Sequence, residues 1–307
     1  MRILVTGAAG MLGDSLVPIL EEESHNVYPT DINITDSKIK YLDVREIDEI
    51  SKFVNLIKPD IIIHLAAETD LEVCEKNPDE AYRTNALGVQ NVAIVCQEKN
   101  IPLIYISTAG VFDGHKEIPY TEFDEPNPLN VYGLSKLAGE HFVKALLNRY
   151  YIVRAGWMIG GGGEKDKKFV RKIISQIEEG KKEIYAVIDK RGTPTYAPAF
   201  SKVLAKLIRT NFYGLYHLAC RGTATRYDVA SKIIEFLGID GLKLVPVNSD
   251  FFAKEYPTQR PNSEEMHNYM LELRGMDTMP MWEDALRQYL DLYFNHIPAL
   301  LKSRDLP

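Results

Sequence analysis

Cysteine is scarce in this chain: 3 in 307 residues, at Cys74, Cys96 and Cys220. Their wide separation fits neither a zinc site nor a disulfide framework, so no metal is expected and a reducing compartment is the simplest setting. A basic excess is missing as well. With 36 Lys and Arg against 43 Asp and Glu, the formal charge is −7. That balance argues against nucleic acid as a main partner, because phosphates would go unneutralised. No apolar stretch approaches the ~20 residues of a membrane helix. The chain enters Arg2-Ile3-Leu4-Val5-Thr6 with no signal-peptide pattern before it. A cytoplasmic protein without a membrane partner is expected.

What is present is an ordinary globular balance, 45% hydrophobic and 26% charged, in a chain long enough for a sizeable core. Short apolar runs alternate with longer helical patterns, the mark of βαβ units. The expected class is α/β, a Rossmann-type doubly wound parallel sheet with a smaller C-terminal substrate-binding region. Strands are predicted at 2–6, 25–30, 40–42, 61–65, 103–107 and 151–154, with helices near 11–23, 46–57, 79–99 and 130–149. Pro18 should kink the first helix. After about residue 155 the alternation loosens. A glycine run at 160–163, helices near 166–179, 199–209, 225–237 and 282–295, and a strand at 214–218 follow, while 248–280 reads as irregular. The dinucleotide-binding domain is expected over 1–155, with a returning segment near 193–220. The substrate-binding region then takes 156–192 and 221–307.

Gly7-Ala8-Ala9-Gly10-Met11-Leu12-Gly13 joins the first strand to the first helix. Glycines there permit a tight turn and let backbone N–H groups approach a pyrophosphate. Gly7, Gly10, Met11, Leu12 and Gly13 are therefore candidate cofactor residues. Asp31 ends the second strand, where an acid accepts hydrogen bonds from the adenosine ribose and repels a 2′-phosphate. NAD(H) is favoured and NADP(H) stays open, since Lys38 or Lys40 could fold back. Asp43 either meets the adenine amino group or caps the next helix, with Val44 beside it. Ala66 and Ala67 follow the fourth strand, where small residues let a cofactor lie against the backbone. Asn85 sits mid-helix, holding a water or satisfying a buried carbonyl.

Tyr132 and Lys136 stand four residues apart on a predicted helix and so share one face. An ammonium beside a phenol favours the phenolate, so the pair can move a proton near neutral pH. Ser107-Thr108 closes the fifth strand, where the Thr108 hydroxyl can bond a substrate carbonyl opposite Tyr132. Arg154, Trp157 and Arg260 either contact a nucleotide-linked substrate or serve the structure.

The ordered set of Gly-x-x-Gly-x-x-Gly, Ser107-Thr108 and Tyr-x-x-x-Lys resembles the extended short-chain dehydrogenase/reductase superfamily. Ser107-Thr108-Ala109-Gly110-Val111-Phe112-Asp113-Gly114, Pro128-Leu129-Asn130-Val131-Tyr132-Gly133, Arg154-Ala155-Gly156-Trp157, Gly192-Thr193-Pro194 and Arg260-Pro261-Asn262-Ser263 resemble its dTDP-4-dehydrorhamnose reductase branch. The resemblance implies NAD(P)H-dependent reduction of the C4 keto group of a nucleotide-activated 4-keto-6-deoxy sugar, for surface polysaccharide synthesis. It implies that Tyr132 protonates the alkoxide, that Lys136 lowers the tyrosine pKa and holds the nicotinamide ribose, and that Thr108 binds the same oxygen. On the substrate side it implies Thr108, Val111, Trp157 and Arg260. A homodimer stays open.

Two departures bear on the substrate. The family usually carries Asp-Tyr where this chain has Ala109 and Gly110, which leaves a more open pocket and disfavours a 4,6-dehydratase. Ala66-Ala67-Glu68-Thr69-Asp70 also differs from the family's usual wording. Two alternatives remain at this point: a nucleotide-sugar 4-epimerase, and a non-catalytic regulatory subunit resembling that of methionine adenosyltransferase.

Overall fold

The computed structural model describes residues 1–304. Six strands come first: β1 (Arg2–Thr6), β2 (Asn26–Asp31), β3 (Lys40–Tyr41), β4 (Ile61–His64), β5 (Leu103–Thr108) and β6 (Tyr150–Ala155). With Gly214–Leu218 they form one sheet in the order 214–218, β6, β5, β4, β1, β2, β3. Every pairing in it is parallel. Strands covered on both faces have no polar side to alternate with, and Ile61 to His64 are all buried accordingly. The strand order reverses between β1 and β4. A crevice opens there, at the carboxyl ends of the strands.

Helix α1 (Met11–Glu22) runs through Pro18 without breaking. Pro18 lies on the exposed side, where a carbonyl that loses its N–H partner can turn to water. Helix α2 (Ile47–Ile57) follows. The single helix expected over 79–99 is interrupted: after α3 (Leu71–Lys76), α4 (Pro78–Tyr82) leads into a π turn over Arg83–Leu87, and then α5 (Gly88–Lys99). Helix α6 (Val131–Leu146) carries the Tyr-x-x-x-Lys pair.

Beyond β6 the helix Ala197–Leu207 packs on α1, and Gly214–Leu218 lies beside β6 with Leu215 opposite Ile152. Glu183–Val187 and Lys243–Val247 form a small parallel sheet that the sequence reading omits. The stretch expected to be irregular holds the short strand Ser263–Glu264 and the short helix Tyr269–Leu273. One hydrophobic cluster runs from Ile3, Val5 and Leu16 to Ile173, Ala230 and Leu286. The later region thus shares a core with the sheet. Among the described residues no helix is long and apolar enough to cross a membrane.

Candidate active site

A cavity of about 2470 Å³ follows the crevice, lined at one end by Gly7, Gly10, Met11, Leu12, Asp31 and Ala66. Gly7 has φ +73°, and a Cβ there would stand 2.4 Å from the Ala66 nitrogen. Only glycine lets the first turn cross so close to the strand β4 exit. Gly10 sits at the N-cap of α1 with no side-chain cap bond. The helix therefore opens with N–H donors that no side chain has taken, the arrangement that holds a pyrophosphate. Gly13 corrects one expectation. It is buried and does not line the cavity; a Cβ there would meet the Ala8 oxygen at 2.2 Å. Its task is close packing of helix on strand.

Asp31 accepts hydrogen bonds from the Ala9 N–H (3.1 Å) and the Asn33 N–H (2.8 Å), fixing its carboxylate beside the loop. Neither nearby lysine folds back on it: Lys38 donates to Glu21 and Lys40 to the Ser37 carbonyl. Asp43 lines the cavity but does not cap α2, whose N-cap is Glu46. Instead Arg45 donates to it from its side chain, at 2.7 Å from one guanidinium nitrogen, and from its backbone. Those side-chain bonds hold the Asp43 carboxyl below its usual range. Val44 and Ala67 also line the cavity. The glycine turn, the uncapped helix start and the Asp31 carboxylate together suit a dinucleotide.

Thr108, Tyr132 and Lys136 also line the crevice. The Asn130 side chain accepts from the Gly133 N–H at 2.9 Å, capping α6 one residue before it begins. Gly133 lets that helix close on the turn after β5, since a Cβ there would be 2.2 Å from the Gly110 oxygen. This approach brings Tyr132 near Thr108, and both line the cavity. Burial pushes the Tyr132 phenol up to about 12, with the Thr108 hydroxyl acting in the opposite sense. Lys136 is 3% exposed. Its ammonium donates to the Ile106 carbonyl at 2.7 Å and lies over the Tyr105 ring, and burial brings its pKa down to about 7. Burial therefore governs both groups here, and the lowering of the phenol expected from the lysine is not the dominant effect.

Asn85 spends its amide on structure. It accepts from the Glu68 N–H (2.8 Å) and donates to the Glu68 carbonyl (2.9 Å) and the Ser135 hydroxyl (3.1 Å). The π turn presents this side chain inward, tying the Ala66–Asp70 segment to α6. Arg154 is buried and structural: it pairs with Glu140, which also accepts from Ser107 at 2.6 Å.

The far end of the cavity is basic, with Lys168, Lys172, Lys190, Arg226 and Arg260 on its walls. Trp157 lines it too, and the Arg226 guanidinium lies 3.6 Å from the indole centre. Arg260 reaches this end but is engaged, donating to Glu72 at 2.7 Å and to the Thr258 carbonyl at 2.8 Å. Val111 is a second correction. It is fully buried, packs with Ala109, Phe112 and Tyr120, and does not line the cavity. The 3-10 turn Ala109–Val111 aims Gly110 at the crevice and Val111 at the core. Arg226 and Glu264 were not legible beforehand, because neither belongs to a motif with fixed spacing.

Comparison with known proteins gives the same picture. The family model described as the RmlD substrate binding domain matches residues 1–294. The chain is 32% identical over 288 residues to a dTDP-4-dehydrorhamnose reductase of Mycolicibacterium smegmatis, covering 93% of this chain and 84% of that one. It is 33% identical over 295 residues to a dTDP-4-keto-6-deoxy-D-glucose reductase of Streptomyces niveus, covering 95% and 97%. The crystal structure of a Bacillus anthracis dTDP-4-dehydrorhamnose reductase in complex with NADP superposes with a TM-score of 0.87 at 37% identity, over 95% of this chain and 99% of that one. With its parallel sheet, its glycine cradle and its Thr108–Tyr132–Lys136 centre, the chain belongs to the RmlD family of dTDP-4-dehydrorhamnose reductases, within the extended short-chain dehydrogenase/reductases.

Proposed function

We propose that this protein is an NAD(P)H-dependent reductase of the C4 keto group of a dTDP-linked 4-keto-6-deoxy sugar, acting in polysaccharide synthesis. The observation that carries this reading is that Thr108, Tyr132 and Lys136 line one cavity together with the glycine loop and the basic side chains. Gly7, Gly10, Met11, Leu12, Asp31, Asp43, Val44, Ala66 and Ala67 stand where a dinucleotide would be held. Reduced nicotinamide, when bound, supplies the hydride.

The chain's own residues do the rest. A ketone oxygen set against Thr108 and Tyr132 would accept hydrogen bonds from both, at the place where negative charge grows. Tyr132 then gives up its proton to that oxygen. A phenol raised by burial is fully protonated at neutral pH, so the donor is ready before substrate arrives. Lys136 lies one turn further along α6, and its amine, brought near neutrality by burial, can take up a proton beside the developing phenolate. Trp157 lines the cavity with Arg226 stacked on its ring, and Arg226, Lys190 and Lys168 offset the charge of a diphosphate.

The deciding experiment follows NADH and NADPH absorbance with a panel of dTDP-, UDP- and GDP-linked 4-keto-6-deoxy sugars. Oxidation of one cofactor per sugar reduced, with the dTDP sugars preferred, is the expected result. Turnover with no net cofactor oxidation would replace the reading with C4 epimerisation. No turnover across the panel, with stable association to a larger enzyme, would replace it with a regulatory subunit.

A further inference from the structure

Ser263–Glu264 pairs with Arg191–Gly192, and this register sets Glu264 opposite Gly192. A Cβ on Gly192 would fall 2.2 Å from the Trp157 ring, so the indole lies directly on that backbone. From there the Trp157 indole N–H donates to Glu264 Oε2 at 2.7 Å. Only one carboxylate oxygen is used this way. Oε1 has no hydrogen bond among the described residues, and Glu264 lines the cavity.

The place Oε1 faces is informative. A Cβ built on Gly110 would lie 3.6 Å from Glu264 Oε1 and 3.4 Å from Thr108 Oγ1. The free carboxylate oxygen and the Thr108 hydroxyl therefore border one small space, and that space exists because residue 110 has no side chain. Gly110 is not among the glycines at positive φ, so its backbone does not itself call for glycine. Burial raises the Glu264 carboxyl above its ordinary range, while the Trp157 N–H and the Arg226, Arg260 and Lys190 charges act in the opposite sense.

We propose that Glu264 is a specificity-determining residue, whose Oε1 accepts a hydrogen bond from the substrate's C3 hydroxyl across the space left by Gly110. The inference rests on the keto-sugar reading above. In a 4-keto-6-deoxy pyranose the carbonyl carbon has two ring neighbours: C5 bears the methyl group, and C3 bears a hydroxyl. With the carbonyl oxygen at Thr108 and Tyr132, the C3 hydroxyl is the donor that reaches an acceptor just past Gly110. A bond from a hydroxyl to a carboxylate is of the strong, charge-assisted kind. A site built to bond a hydroxyl rejects the analogue lacking it, because its own polar group is left unpaired.

The test is calorimetric binding of dTDP, dTDP-rhamnose and its 3-deoxy counterpart to the wild type, Glu264→Gln and Gly110→Val. Glutamine keeps an acceptor for the Trp157 N–H, so the indole stays in place. Glu264→Gln is expected to weaken dTDP-rhamnose about tenfold while leaving dTDP and the 3-deoxy sugar within about twofold. Gly110→Val fills the space without altering the carboxylate, and is expected to show the same selective loss should the first variant fold poorly. Equal weakening of both sugars in both variants, as a purely structural role for Glu264 would give, overturns the proposal. A wild type that binds dTDP but does not separate the two sugars overturns it alone. A wild type that fails to bind dTDP overturns the keto-sugar reading and this inference together.

Discussion

The two ends of the crevice are built on different principles. At the glycine-rich end the wall is backbone: Gly7 crosses under Ala66, α1 begins without a side-chain cap, and Asp31 is pinned by the Ala9 and Asn33 N–H groups. At the other end the wall is side chain: Trp157, Arg226, Glu264 and Arg260, brought together from a span of 107 positions. A backbone cradle admits one shape of ligand and changes only when the fold changes. A wall of side chains can be retuned one residue at a time. In this chain Gly110, beside Thr108, contributes no side chain to that wall.

Tyr132 lies on the border between the two ends, and its removal should produce the largest effect. Tyr132→Phe is expected to lower kcat by about 10²–10⁴-fold, the usual contribution of a positioned proton donor. The phenyl ring preserves the packing of α6, so NADH and NADPH affinity measured by fluorescence should hardly move. A variant that keeps its rate would show that the proton comes from elsewhere, and the border would have to be redrawn.

Gly7→Ala attacks the backbone end alone. Its positive φ and the Ala66 nitrogen 2.4 Å from the added carbon leave the loop no relaxed position. Cofactor affinity should fall at least about tenfold and Tm by several degrees, while dTDP binding at the other end is retained. If dTDP binding falls equally, the two ends are coupled through the sheet and the contrast between them is weaker than drawn. Asp31→Ala is a milder probe of the same end. It should weaken NADH by severalfold and NADPH less, because the lost carboxylate would both hold the ribose and repel a 2′-phosphate. The reverse ranking, in paired titrations, would remove the expectation that NADH is favoured.

The contrast also explains what could be read in advance. Glycines at fixed spacing after a strand, and apolar runs that must be buried on both faces, are local signals. Gly7, Gly10, Asp31 and Ala66, all picked out by such signals, line the crevice. Gly13 packs on Ala8, and spacing alone does not distinguish contact with a ligand from contact with that backbone. Val111 misled because a 3-10 turn, not a continuing strand, follows Thr108 and exchanges which side chain faces inward. Glu264 and Arg226 were out of reach for another reason. Their place depends on the loops that fold 221–264 back over Trp157, and no periodicity records that return.

Lys136 gives the smallest expected effect and the most direct measure of what a side-chain site costs. Its amine is buried with the Ile106 carbonyl and the Tyr105 ring, and burial brings its pKa from 10.5 down to about 7. The sign follows from proton counting. Between these values the unfolded chain holds a proton that the folded chain has shed, so stability from this group rises with pH across that window. Below about pH 7 both states are protonated, and the folded protein bears the full cost of a buried ammonium. Lys136→Met removes that cost along with the hydrogen bond to Ile106, and only the first of these depends on pH. The Tm of the variant relative to wild type should therefore be highest near pH 6 and fall by a few degrees toward about pH 9. A difference that stays flat over this range would mean that the amine is solvated in the resting protein. The centre of the crevice would then be as undemanding as its glycine-lined end, and the cost assigned to its side chains would have no basis.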